Sequence, residues 1–180
     1  MLIYFHGHLG QNSKKPSILE GAIGEKIFAP RYHDVASFRN AIESARVACE
    51  CCTSEPILVV GISLGGFAAY SVARITRTRA ILINPALEPW RTVGGHASDE
   101  WIPYCQALYR GLPADASADI KAIINKDDEL LAPFGPVLQA AGVHTVIELE
   151  SGGHEANNFE REIVALIVAE YRRLTGAEPG

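Results

Sequence analysis

The sequence predicts an α/β fold, with a doubly wound, mostly parallel sheet, helices on both sides and a short helical cap insertion. Three observations predict it. Short apolar runs alternate with helical patterns along the chain. Several of those runs are apolar on successive residues, as in strands covered on both faces. The connections are long enough to hold the crossover helices that parallel strands require.

In chain order the strands read "LIYF" (2–5), "KIFAP" (26–30), "PILVVG" (56–61), "RAILIN" (79–84), "IKAIIN" (120–125) and "HTVIEL" (144–149). Between them, Asp34 is placed to cap a helix over 35 to about 51. Its apolar stripe is Phe38, Ile42, Ala45 and Cys49. A second helix runs from Leu64 to about Ile75, and a third from Leu130 to Ala141. The last spans Asn158 to about Leu174, with Phe159, Ile163, Leu166, Ile167 and Leu174 on one face. The stretch from Pro85 to Asp119 has no clear strand and carries Trp90, Trp101, Tyr104 and Tyr109. An aromatic insertion at about 86–118 reads as a cap over a site, with Trp90 and Trp101 as candidate pocket walls; packing on the sheet edge is the alternative. The tail "GAEPG" reads as frayed.

The 180 residues suffice for one domain, 1–180, and the composition is that of a globular protein, 48% apolar and 21% charged. A net charge of −5 argues against nucleic acid and against an anionic membrane surface, since both demand a basic patch. No apolar run reaches the length of about eighteen residues that a spanning helix needs. The start "MLIYFHGHLG" lacks the features of a signal peptide, so a cytoplasmic location is expected. Cys49, Cys51, Cys52 and Cys105 lack the paired spacing of a zinc site. No metal is expected, and the cysteines read as free thiols.

The chemistry concentrates in "ILVVGISLGGFAAY" (57–70), where a buried strand ends on Gly61, Ser63, Gly65 and Gly66 and opens straight into a helix. This is the strand–turn–helix setting of the G-x-S-x-G nucleophile elbow. There the serine is strained, its neighbours two residues away lack side chains, and the helix N-terminus favours negative charge. A serine nucleophile needs a base, an orienting acid and oxyanion donors. After the fifth predicted strand come the carboxylates Asp127, Asp128 and Glu129, and after the sixth comes His154 in "ESGGHEANNF". Both strand ends lie on the elbow's edge of the sheet. His33, His96 and His144 follow no late strand end. His6 and His8 follow the first strand, where "FHGHLG" offers backbone donors instead. The oxyanion donors are assigned to the His8 and Leu64 N–H groups, and His6 is expected to orient the loop.

Together "IYFHG", "GISLGGF", "INPAL" with Asn84 and Pro85, "DDE" and "GGHE" resemble the YqiA/YcfP-like small bacterial esterases of the α/β-hydrolase superfamily. The resemblance implies a compact α/β-hydrolase fold, Ser63 as nucleophile, Asp128 as acid and His154 as base. It implies a cofactor-free esterase acting on short acyl esters, or on thioesters. The sequence departs from that pattern in His8, which replaces an aromatic residue, and in Asp127, which replaces a glycine and is a second candidate acid. The alternatives are a thioesterase with the same triad and a non-catalytic ligand-binding protein on a hydrolase scaffold.

Overall fold

A computed structural model describes residues 1–52, 54–92, 100–113, 118–131 and 133–176. Its elements are β1 (Leu2–Phe5), α1 (Lys15–Ile23), α2 (Val35–Cys51), β2 (Leu58–Ile62), α3 (Leu64–Thr76), β3 (Arg79–Ile83), α4 (Pro89–Thr92), α5 (Trp101–Arg110), β4 (Ile120–Asn125), α6 (Gly135–Ala140), β5 (Thr145–Leu149) and α7 (Val164–Thr175). The five strands pair in parallel in the order β1-β2-β3-β4-β5.

Successive side chains of a strand point to opposite faces, so every inner strand feeds two cores. Leu2, Tyr4, Leu58, Val60, Ile62, Ile81, Ile83 and Ile123 join Leu19 of α1 and Ile163, Ile167 and Tyr171 at the chain's end. Ile3, Phe5, Val59, Leu82, Ala122 and Ile124 join α2, α3, α5 and α6 on the other face. This is why the strand runs are continuously apolar. Helices on both faces follow, as expected.

The winding reverses at β1. From β1 the chain passes through α1 on one face to Phe28, which bonds to the free edge of β1: Tyr4 N–H donates to Phe28 O at 2.9 Å and Phe28 N–H to Leu2 O at 3.0 Å. It then returns through α2 on the opposite face to β2. Right-handed crossovers in opposite directions put their helices on opposite faces. The crevice beyond the carboxyl ends of β1 and β2 is therefore the switch point, where ligands bind in sheets of this kind.

Several expectations need correction. The predicted strand at 26–30 reduces to the single bridge Ile3–Phe28. Pro30 has no N–H to donate, and the chain turns soon afterwards into the Asp34 cap of α2, whose carboxylate accepts from Ser37 N–H at 2.7 Å. The helix expected over 130–141 begins only at Gly135, with Pro136 in its first turn, because the amides of Leu130 and Leu131 are bonded to Asp128 instead. Helix α1 escaped the sequence reading. The last helix starts with a π-helical turn at Phe159–Ile163 before α7.

Helix α3 is buried throughout Leu64–Ala73, and small residues let it approach the sheet. A methyl group on Gly61 would overlap the Gly65 carbonyl, and one on Gly65 would overlap the carbonyls of Phe5 and His6. On Gly66 it would fall 2.8 Å from Pro85 Cβ. In the inserted region, α5 lays Trp101 and Cys105 into the core beside α2, with Trp101 5.1 Å from the Phe38 ring centroid. Residues 93–99, which include His96, residues 114–117 and the tail 177–180 lie outside the described residues. No helix among the described residues is long and apolar enough to cross a membrane.

Two glycine substitutions should separate close approach from helix propensity. Gly65→Ala should destabilise by about 3 kcal/mol, because backbone atoms cannot yield easily. Gly21→Ala, exposed in α1 with open space around it, should stabilise by about 0.5–1 kcal/mol. Urea midpoints measure both.

Candidate active site

The site is built at the carboxyl ends of the five strands. Ser63 follows β2 with φ 54° and ψ −119°, a conformation an L-residue adopts only under strain. The turn is held from both ends. Ser63 N–H donates to Ile83 O at 2.9 Å, and Ser63 O accepts from Ala86 N–H at 3.0 Å and Gly66 N–H at 2.9 Å. Leu64 is the first residue of α3, where an N–H has no partner within its helix.

Ser63 Oγ lies 2.8 Å from His154 Nε2, and His154 Nδ1 lies 2.9 Å from Asp128 Oδ2. A carboxylate only accepts, so Nδ1 carries the proton facing Asp128 and Nε2 is left to accept from the serine hydroxyl. The Asp128 side chain has no exposed surface. Its second oxygen accepts from Leu130 N–H at 2.8 Å and Leu131 N–H at 2.9 Å. Three donors therefore satisfy this buried carboxylate.

The neighbouring carboxylates divide the remaining work. Asp127 does not touch the ring; it accepts from Gly153 N–H at 2.8 Å and Gly152 N–H at 3.1 Å. Those two backbone donors hold its carboxyl below the usual carboxylate range. Glu129 accepts from His154 N–H at 3.3 Å. The run "DDE" thus grips the histidine's loop with the first and third side chains and the imidazole with the second.

Buried asparagines complete the loop's support. Asn84 Nδ2 donates to Gly153 O at 2.9 Å and His154 O at 3.1 Å, while its Oδ1 accepts from Asn125 N–H at 2.8 Å. Asn125 Nδ2 donates to Gly153 O at 3.0 Å, and Asn158 Nδ2 donates to Asn125 Oδ1 at 3.0 Å. The sequence reading used Asn84 only as part of a motif, named Glu129 without a task and gave Asn125 and Asn158 no part in the site. A signal was present, since β3 and β4 each run through isoleucine into asparagine at the same edge, "LIN" and "IIN".

His6 is buried and stacked on Tyr32, with ring centroids 3.8 Å apart. Its Nδ1 donates to Gly7 O at 2.7 Å, and its Nε2 accepts from Tyr32 N–H at 3.3 Å. The Tyr32 hydroxyl in turn donates to His6 O. These bonds fix the loop carrying His8, whose ring meets Trp101 edge-on at 5.9 Å.

A cavity of about 310 Å³ opens at Ser63 and His154. Leu9, Ile62, Leu64, Ala86, Leu130 and Leu131 supply apolar wall; Tyr4, Ser13, Lys15 and Glu155 supply polar wall. Trp90 and Trp101 do not line it, which corrects their expected place as pocket walls. They border a void of about 10 Å³ behind His8 and Leu64, because Trp101 is drawn into the aromatic core around Phe38 and Trp90 packs on Tyr109 at 5.4 Å. Of the described part of the insertion, only Ala86 reaches the cavity.

Two outcomes follow from this support. Asn84→Ala strands the Asn125 N–H and weakens the hold on two loop carbonyls, and should cost about 2–3 kcal/mol in urea unfolding. Burial lowers the His6 pKa, so the folded state favours the neutral ring. Its contribution is full above the ordinary value of 6.5 and is lost as pH falls through the lowered folded value. The melting temperature should therefore drop from about pH 7 to about pH 5, and drop less in His6→Phe, which keeps the stack without the titration.

No curated protein matches the chain. Among solved structures it resembles a metagenome-derived lipolytic enzyme, at 16% identity and TM-score 0.71, over 96% of this chain and 93% of that one. It also resembles the esterase domain of a Rhodothermus marinus protein, at 16% identity and TM-score 0.70, over 97% and 87% of the two chains. A serine hydrolase without lid from Xanthomonas campestris matches at 13% identity and TM-score 0.60, over 99% and 84%. These likenesses establish the α/β-hydrolase fold. The profile of the uncharacterised protein family UPF0227 matches residues 1–134, which carry Ser63 and the Asp127–Glu129 run, and the chain belongs to that YqiA/YcfP-like family.

Proposed function

We propose that the protein is a serine hydrolase that cleaves carboxylic esters of short acyl chains through an acyl-enzyme intermediate. One observation carries this reading: the continuous path from Ser63 Oγ through His154 to an enclosed Asp128 carboxylate, at 2.8 and 2.9 Å. Buried polar groups so arranged are costly unless used, and here they meet at a cavity. The similar structures described as esterase and lipolytic enzyme support the same chemistry.

In this mechanism Ser63 Oγ attacks the acyl carbonyl while His154 Nε2 takes its proton. Asp128 holds the imidazole in the tautomer that leaves Nε2 free and stabilises the cation that forms. The N–H groups of His8 and Leu64 receive the developing oxyanion, each worth on the order of 3 kcal/mol. His154 returns the proton to the leaving alcohol, and water repeats the sequence on the acyl group. Every group used is a protein group, so the reaction draws on no cofactor. The cavity's size favours a short acyl chain and a small alcohol. The same reading treats 1–180 as one domain and places it in the cytoplasm, where free thiols at Cys49, Cys51, Cys52 and Cys105 are stable.

Hydrolysis of p-nitrophenyl butyrate tests the assignment. Ser63→Ala should abolish turnover, and Asp128→Asn should lower kcat on the order of 10⁴-fold by holding the wrong tautomer. Asp127→Asn should cost far less, because it loosens the loop without touching the ring. Full activity in Ser63→Ala, or equal losses at Asp127 and Asp128, would exclude this mechanism.

A further inference from the structure

The polar wall of the cavity plays no part in the ester chemistry. Tyr4 projects from β1 with only 1% of its surface exposed, and its hydroxyl has no hydrogen-bond partner among the described residues. A buried hydroxyl left unpaired costs about 1–3 kcal/mol, so its retention points to a ligand. Lys15, the first residue of α1, lines the same cavity. Its ammonium sits 5.6 Å from the centroid of the Phe159 ring, which itself meets the Tyr4 ring edge-on at 6.4 Å. Among the described residues Lys15 makes no ion pair within 4.0 Å. Burial depresses its basicity, and Glu155 offsets that effect only in part. Glu155 is the opposing charge that acts on both Lys15 and Tyr4, and it is exposed, next to His154 in the chain.

We propose that Tyr4 and Lys15 bind a carboxylate of the substrate, so that the esters cleaved at Ser63 are hemiesters of short dicarboxylic acids. The inference rests on the serine-hydrolase reading and names the substrate class for it. Both donors line the same cavity of about 310 Å³ as Ser63 and His154, and a cavity of that size suits an acid of short chain. The tyrosine hydroxyl gains its missing acceptor, and the ammonium gains the counter-ion that Phe159 does not supply. A single lysine with a glutamate nearby suits one negative charge better than the two of a phosphate monoester. Ser13, whose Oγ accepts from Lys15 N–H at 3.2 Å, lines the same wall.

The test compares p-nitrophenyl hemiglutarate with p-nitrophenyl valerate, which replaces the carboxylate with a methyl group, after subtraction of uncatalysed hydrolysis. The ratio of their kcat/KM values should favour the hemiglutarate in the wild type. It should fall about tenfold in Lys15→Met, fall several-fold in Tyr4→Phe and rise in Glu155→Gln. The opposite signs at Lys15 and Glu155 are what a structural role would not produce. A ratio unmoved by Lys15→Met, or lowered by Glu155→Gln, overturns the proposal even if Ser63-dependent valerate hydrolysis persists. Should the wild type hydrolyse neither ester, the hydrolase reading fails, and calorimetric titration with glutarate monomethyl ester decides the subsite separately. Binding weakened in Lys15→Met supports it; equal or absent binding overturns it.

Discussion

Ser63 is held at φ 54°, ψ −119°, and the surrounding structure exists in the form it does because that residue must stay there. A non-glycine residue does not rest in this region unless its neighbours over-determine it. Here they do so through backbone. The amide of Ser63 is bonded to Ile83 and its carbonyl to Ala86 and Gly66, so the end of β3 brackets the turn from one side and α3 closes it from the other. The three glycines are the steric counterpart of those bonds. Each stands where a methyl group would collide with backbone or with Pro85. The elbow is a site where strand, helix and neighbouring loop come together too closely for side chains, and the hydroxyl is the one group left projecting.

The same strand end also fixes the histidine. Asn84 follows β3 directly, and its amide holds the carbonyls of Gly153 and His154 while its oxygen receives the Asn125 amide from β4. Pro85 then packs on Gly66, and Ala86 bonds Ser63. Three consecutive residues therefore tie serine loop to histidine loop, across 91 positions of sequence between Ser63 and His154. The acidic run after β4 supplies the rest, with a separate task for each carboxylate. This division explains why Asp127 stands where a glycine would also serve: its side chain reaches two amides of the loop and adds a tie without entering the site.

The architecture was legible because burial on both faces writes itself into the strands as continuous apolar runs, and because the elbow joins a distinctive motif to its required context. Order along the chain pointed to Ser63, to the acidic run Asp127–Glu129 and to His154, since each follows a strand end on one edge, while the choice of Asp128 within that run came from the family resemblance. What escaped has identifiable causes. The strand expected at 26–30 had the composition of a strand but only one residue of β1 edge to pair with. Leu130 and Leu131 look helical in sequence, yet Asp128 captures their amides for the site. Trp90 and Trp101 were placed by residue type, and type does not reveal that Phe38 draws Trp101 into the core. Tyr4 was read only as part of the strand "LIYF", because no pattern there distinguishes a buried hydroxyl that lacks a partner from one that is satisfied.

The account turns on Ser63 being the one hydroxyl made nucleophilic by its surroundings. Labelling the native protein with a fluorophosphonate and mapping the adduct by mass spectrometry tests this directly. The account predicts a single modification, on the peptide containing Ser63, lost when the protein is unfolded first. Modification at another residue, or none at all in protein that hydrolyses esters, would contradict it.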